Sequence, residues 1–156
     1  MAEQVVVFGV AGKSYALPID HVREVVAWSS PTPLPGAPPL VEGVVRLRDE
    51  VIPVVDLGRR FGTGRVRPDA EARILVVEWD GQVAGLIVDE VTEVMQLAPD
   101  QVSPPAPIAV DPVERVVSGI ARVGERLVLI LDLHKVVHRA AEAVATASEA
   151  GGDPVA

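Results

Sequence analysis

A chain of 156 residues with a formal net charge of −8 and no cysteine rules out disulfides, thiolate chemistry and Cys-based metal sites. It also offers no basic stripe for nucleic acid. Hydrophobic residues make up 49% but aromatic ones only 3%, which excludes disorder and requires a core built from Val, Leu, Ile and Ala. The acidic composition disfavours anionic membranes, no apolar run reaches the length of a membrane span, and MAEQVVVF carries neither a basic region nor a cleavage site. These features suit the cytoplasm without direct membrane insertion. The length suits one domain, or two small ones sharing a core. With 13 Gly and 14 Pro, the Val-rich composition predicts many short strands joined by tight turns.

The chain opens with VVVFGVAGKSYALPIDHVREVV (Val5–Val26), two β-runs around Ala11-Gly12-Lys13 followed by a short helix or turn. The segment Ile74–Met95 repeats it at an offset of 69: Gly12 falls on Gly81, Leu17 on Leu86, Asp20 on Asp89, Val22 on Val91, Glu24 on Glu93 and Val25 on Val94. A second hairpin, GVVRLRDEVIPVVDL (Gly43–Leu57), places two apolar runs around a charged tip and is echoed at an offset of 76. Gly43, Arg46, Asp56 and Leu57 meet Gly119, Arg122, Asp132 and Leu133. Pro53 lies in the second run, where it cannot donate a ladder hydrogen bond, so it suits an edge or a bulge.

Each copy therefore reads as hairpin, short helix or turn, proline-rich connector, hairpin. The connectors are Ser29–Leu40 and Ala98–Pro112. About 55 to 60 residues with four or five strands is the size of a small SH3-like or OB-like barrel, too small to be stable alone. The fold class is thus mainly β: two intertwined SH3-like five-stranded β-barrels with short helices and a C-terminal α-helix. The boundaries are one domain over 5–139, with a first barrel over about 5–66, a second over about 70–132 and a helix over about 133–149. Leu133, Val136, Val137, Ala140 and Val144 mark the apolar face of that helix, Asp132 is its N-cap, and 150–156 form a flexible tail.

Catalysis has no candidate constellation. His134 and His138 lie four apart on the expected helix, but Lys135 stands where H-E-x-x-H has its Glu and no third ligand is near, so a solvated face is expected and no metal or cofactor is assigned. Gly9-Val-Ala-Gly12-Lys13-Ser14 is too short for a phosphate loop and reads as a hairpin turn. Nothing marks Ser14 or Ser29, the hydroxyl neighbours of His21, as a nucleophile. Asp20, Asp56, Asp89 and Asp132 read as caps or turn formers, and Asp49–Glu50 as a solvated tip.

What remains is an interaction surface. Val22, Val25 and Val26 are expected at helical spacing among His21, Arg23 and Glu24, with Val91, Val94 and Met95 as their second-copy equivalents. Half of each set should enter the core and the rest line a groove. Trp28 and Trp79 read as edge-of-core residues or exposed anchors. Arg48, at the tip of the central hairpin, is either solvated or held in a fork to a carboxylate, and a held Arg can position a partner.

From Val5 to Val137 the motifs Y-A-L-P-I ending at Ile19, D-H-V-R-E-V, the proline loop, G-V-V-R-L-R-D-E-V-I-P-V-V-D-L, G-L-I-V-D-E-V-T-E-V and S-G-I-A-R-V occur in order. This pattern resembles the CheW-type chemotaxis coupling proteins. The resemblance implies a non-enzymatic adaptor joining methyl-accepting chemotaxis receptors, through their cytoplasmic tip, to the regulatory domain of a CheA-type histidine kinase in arrays at the inner membrane. By position, Val22, Glu24, Gly43, Arg48, Val91 and Val94 match the receptor-binding side, while Val44 and Val51 are assigned to the kinase. The family's N-L-R-G turn stands here as Arg46-Leu47-Arg48-Asp49. Asp replaces the Gly that supplies positive φ freely, which leaves open a turn of another shape with Arg48 pointed elsewhere. A divergent or accessory member of another chemosensory pathway, or a regulatory domain of a CheA-type kinase, remain as alternatives. A small-barrel nucleic-acid binder and a divergent enzyme on the His134/His138 face are disfavoured.

Overall fold

The computed structural model describes residues 3–37, 39–104 and 116–137. The first copy contains β1 (Glu3–Val10), β2 (Lys13–Pro18), a 3₁₀ turn (Ile19–His21), β3 (Val22–Ala27), β4 (Val41–Leu47), β5 (Glu50–Asp56) and a single helical turn, α1 (Leu57–Arg60). The second contains β6 (Arg73–Trp79), β7 (Gln82–Val88), β8 (Glu90–Leu97), a short β9 (Val102–Ser103), β10 (Val117–Val123), β11 (Arg126–Leu131) and helical residues 133–137. The two offsets in the sequence carry the strands β1–β5 and the turn α1 of the first copy onto their counterparts in the second, while the 3₁₀ turn Ile19–His21 has none among the described residues.

Turn chemistry sets these hairpins. Ala11 and Gly12 have φ of 51° and 80°, and Asp80 and Gly81 have 46° and 77°. Two successive positive φ values are what a type I′ turn needs, and its twist matches that of the strands.

The strands form a six-stranded sheet in the order β8-β1-β2-β11-β10-β9 and a five-stranded sheet in the order β3-β6-β7-β5-β4. Neither sheet is confined to one copy. The opening hairpin β1–β2 joins β8 and β11 of the second copy, and β6–β7 joins β3 and β5 of the first. The expected division into barrels at about 5–66 and 70–132 is corrected in this respect. Each copy lends its first hairpin to the other's sheet, which is the sense in which the barrels are intertwined.

This exchange explains why the opening strands are unbroken apolar runs, since both of their faces are buried. Val6, Phe8 and Val10 of β1 enter a central cluster shared by the sheets, while Val5 and Val7 enter the interior of the six-stranded barrel. On β6, Leu75, Val77 and Trp79 face the shared cluster and Ile74 and Val76 the interior of the five-stranded barrel. Four of the chain's five aromatics (Phe8, Tyr15, Phe61 and Trp79) lie in the shared cluster, with the Tyr15 and Phe61 rings 4.9 Å apart. Leu133, Val136 and Val137 close it from the start of the C-terminal helix. The rest of the helix expected over 133–149, including Ala140 and Val144, and the tail expected over 150–156 lie outside the described residues.

The connector after β3 is strapped across β4. Val44 accepts a hydrogen bond from Thr32 N at 2.8 Å, and its own N–H donates to Thr32 O at 2.9 Å. Gly43, at a register shift in the β4–β5 pairing, has φ +151°, and a Cβ there would lie 2.2 Å from Thr32 O. Only glycine fits under the strap. Because the backbone groups of Val44 turn toward Thr32, its partner Pro53 also turns its nitrogen away from β4. On that far side β5 meets β7 only from Val54 onward, so the missing N–H leaves no gap. Pro53 occupies the edge-like stretch of an otherwise interior strand.

Candidate partner-docking site

The sequence D-H-V-R-E-V-V forms no amphipathic helix beyond the turn Ile19–His21, a correction to the expected helical spacing. From Val22 it is strand β3, whose residues alternate between half-buried and exposed, because antiparallel pairing with β6 buries only one face. Val22 and Val91 both lean on the shared cluster, Val26 leans on the five-stranded barrel's interior, and Met95 on that of the six-stranded barrel. Val25 and Val94 point outward.

β3 and β4 are the two edges of the five-stranded sheet, yet the β4–β5 tip reaches β3 as the sheet curls. Side chains close the seam. Arg48 places Nη1 3.0 Å from Glu24 Oε2 and Nη2 3.1 Å from Glu24 Oε1. This is a bidentate fork, whose planar geometry makes it stronger and more directional than a single contact. Arg23 Nη1 lies 3.0 Å from Glu50 Oε2, and Arg46 Nε donates to Arg48 O at 3.3 Å. The Arg48 side chain is 70% exposed and that of Glu24 21%, so the fork is anchored on its inner side and open on its outer one. Of the two expected states for Arg48, the held one is found.

The turn departs from expectation in which residue carries the unusual backbone. Asp49 does not have positive φ; Arg48 does, at 58°. A single positive φ at the first central residue is the type II′ pattern, which favours Gly at that place. The second copy's equivalent residue is Gly124, at φ 64°. Its seam is closed by Arg126, whose Nη1 lies 3.0 Å from Glu93 Oε2. Glu93 is the repeat of Glu24, while Arg126 is the repeat of Glu50.

The exposed large hydrophobics among the described residues are Val25 (40%), Val51 (65%), Val94 (54%) and Leu127 (58%). They form two pairs under the internal repeat, Val25 with Val94 and Val51 with Leu127. Each seam therefore presents one apolar residue from its edge strand and one from its hairpin, beside an ion pair. Of the positions assigned from sequence, Glu24 and Arg48 are in direct contact and Val22 and Val91 share one core cluster. Gly43 is buried under the connector strap, and Val44 is half-buried beside it. Sequence reasoning missed Arg23, Glu50, Glu93 and Arg126. The signal was present in the alignment of Glu24 with Glu93, which placed an acid on both edge strands.

Asp56 is the one buried charged side chain among the described residues. It caps α1 through Arg59 N (3.1 Å) and accepts from Val66 N (3.0 and 3.2 Å), which ties the linker between copies to the end of β5. Burial pushes its carboxyl above the ordinary value of 3.8, outweighing the backbone N–H bonds that lower it. Glu42, in the bulge beside Gly43, holds both Arg59 and Arg65. Asp132 caps the C-terminal helix through Lys135 N at 3.3 Å, and Asp89 accepts from Ala11 N at 2.6 Å. Capping thus accounts for Asp56 and Asp132, whereas Asp89 braces the distant β1–β2 turn.

Trp79 is buried in the shared cluster and Trp28 is half-buried against the five-stranded barrel, so both read as core-edge residues. His134 Nε2 lies 3.2 Å from Asp80 Oδ2, and its ring stands edge-on to that of His21. His138 lies outside the described residues. No group of three or more candidate metal ligands occurs among the described residues, and none of their helices is long and apolar enough to cross a membrane.

Paired barrels with apolar, ion-paired seams define a scaffold that works through its surfaces. The CheW-like domain family model matches residues 4–141, and the chain belongs to that family of non-enzymatic chemotaxis coupling adaptors. It is 31% identical over 138 residues to the chemotaxis protein CheW of Bacillus subtilis, covering 88% of each chain. It is 35% identical over 108 residues to protein PilI of Pseudomonas aeruginosa, covering 67% of this chain and 61% of that one. The crystal structure of the scaffolding protein TtCheW from Thermoanaerobacter tengcongensis superposes with a TM-score of 0.80 at 40% identity, covering 87% of this chain and 92% of that one. As a member of the family, the chain is an adaptor that interacts with chemoreceptors and CheA.

Proposed function

We propose that this chain joins the cytoplasmic tip of a methyl-accepting chemoreceptor to the regulatory domain of a CheA-type histidine kinase, in the cytoplasm beside receptor arrays. The receptor side comprises Val22, Glu24, Gly43, Arg48, Val91 and Val94, and the kinase side Val44 and Val51. The observation that carries this reading is the Arg48–Glu24 fork, anchored inward and open outward. Gly43 contributes by admitting the connector strap rather than by touching a partner. Val22 and Val91 set the edge strands against the shared core, and Val94 offers exposed apolar surface for a helical tip. Val51 offers the same on the hairpin of the five-stranded sheet.

Calorimetric titration against the regulatory domain of a CheA from the same source, with receptor-dependent kinase activity measured in parallel, tests the division of faces. Arg48→Ala and Val94→Met are expected to bind the kinase domain and to lose receptor coupling. Absence of binding to any such domain overturns the coupling role.

A second reading, an adaptor of an accessory chemosensory pathway, is favoured by the Arg46-Leu47-Arg48-Asp49 turn. Titration against the regulatory domains of every CheA-type kinase in the same cell separates the two readings. Preference for a kinase encoded apart from the main chemotaxis set favours the second.

A further inference from the structure

Arg48 occupies a backbone conformation that its counterpart in the second copy leaves to glycine. Both hairpins have one positive φ at the equivalent place, 58° at Arg48 and 64° at Gly124. A Cβ makes that region unfavourable, so a non-glycine residue persists there only when its surroundings hold it. Three contacts do so. Glu24 takes the guanidinium in a fork, Arg46 Nε binds the Arg48 carbonyl, and Arg23 pairs with Glu50 one strand residue beyond the turn. The last contact does not touch Arg48. It crosses the same seam, from the residue before Glu24 to the second residue after Arg48, and so fixes how closely the tip approaches β3.

The second copy lacks this arrangement. Its residue equivalent to Arg23 is Thr92, which spends its hydroxyl on Val7 O at 3.2 Å, and the equivalent of Glu50 is Arg126, paired to Glu93. One ion pair and a glycine suffice to close that seam. The additional pair in the first copy is therefore not required for closure, and its consequence is the posture of Arg48.

We propose that Arg23 and Glu50 are positioning residues. Their ion pair clasps the hairpin tip to β3 with Arg48 left-handed, so that the N–H groups not used by Glu24 face outward for a carboxylate on the partner. The clasp rests on the reading of Arg48 as a receptor-side residue and deepens it by naming the chemistry that Arg48 meets. Planar N–H donors in fixed directions match a carboxylate better than they match any neutral acceptor.

The test uses full-length protein carrying Arg23→Gln, Glu50→Gln, the exchange Arg23→Glu with Glu50→Arg, or Arg48→Ala. Three quantities are followed: Tm, receptor-dependent kinase activity, and the amide-to-Hα NOE within residue 48, which is strong only at positive φ. Each Gln variant should lose about tenfold in coupling, the scale of one misplaced charge-assisted hydrogen bond, with a weakened NOE and a Tm near the parent's. The exchange should restore both coupling and the NOE, which a merely structural role in stability would not require. Coupling lost in Arg48→Ala but unchanged in both Gln variants overturns the clasp alone. Coupling unchanged in Arg48→Ala overturns the receptor-side reading and the clasp with it.

Discussion

The hairpin tips at 48–49 and 124–125 are built by the same internal repeat and solve the same closure problem with different residues. At the second tip, glycine takes the positive φ and a single Arg126–Glu93 contact spans the seam. At the first, an arginine takes the positive φ and two ion pairs span the seam. Exposed ion pairs contribute little to stability, so the first tip is not the more stable design. Its difference lies in what it holds outward.

The widest separation between the copies is expected under the connector straps. Gly43→Ala drives a Cβ onto Thr32 O at positive φ, whereas the nearest atom to a Cβ at Gly119 is Val102 Cγ1 at 3.1 Å. Urea unfolding should show a loss of roughly 3 kcal/mol for Gly43→Ala and about 1 kcal/mol for Gly119→Ala. Equal losses would mean that the strap of the first copy gives way. The two helix caps come next. Asp56→Ala orphans the buried Val66 N–H as well as that of Arg59 and should cost about 2 kcal/mol, against about 0.5 to 1 kcal/mol for Asp132→Ala, a half-buried cap.

At the tips themselves, Arg48→Gly should be more stable than Arg48→Ala by about 1 kcal/mol, because both lose the fork but only alanine keeps a Cβ at the unfavourable φ. Gly124→Ala should lose a similar amount. If Arg48→Ala equals Arg48→Gly, the tip relaxes to negative φ on losing Glu24, and the similarity of the two turns is broken. For the exposed residues, Val51→Ser and Leu127→Ser should each change stability by no more than about 0.5 kcal/mol, and calorimetry should then assign their effects to binding.

Asp56 adds a pH dependence. Its folded carboxyl titrates above the ordinary value of 3.8, so the stabilisation from its protonated form is fully present below that value. It is lost as pH rises through the folded value. Acid-to-neutral unfolding curves should therefore show the stability of the parent falling relative to Asp56→Asn across that window. A difference that widens in the opposite direction would mean that the backbone N–H bonds outweigh burial.

Much of the fold was legible because it is local or periodic. Ala11-Gly12-Lys13 announced its turn, the constant offsets carried Gly12 onto Gly81 and announced two copies, and Asp56 and Asp132 stood where N-caps belong. The family pattern was legible along most of the chain and pointed to Arg48. The stretch D-H-V-R-E-V-V was misjudged because valines four apart, Val22 and Val26, share a helix face and also share one face of a strand. Only pairing with β6 settles which. The shape of the central turn was left open for a related reason. A missing Gly at position 49 does not reveal that the positive φ belongs to position 48, because turn type follows from strand register.

By itself, then, the sequence determined the number of copies, the hairpins within each, the caps, and the family to which the chain belongs. All of these depend on residue type at short range or on order along the chain. Tertiary structure alone decided that the copies exchange their first hairpins and that Arg23 and Glu24 meet Glu50 and Arg48. It also decided that the exposed valines and Leu127 fall into pairs at two seams. These depend on which sheet edge each strand joins, and hydrogen-bonding backbone edges look alike in sequence. Only the burial of the shared core, gained when all the strands are in place, makes one pairing lower in free energy than the rest.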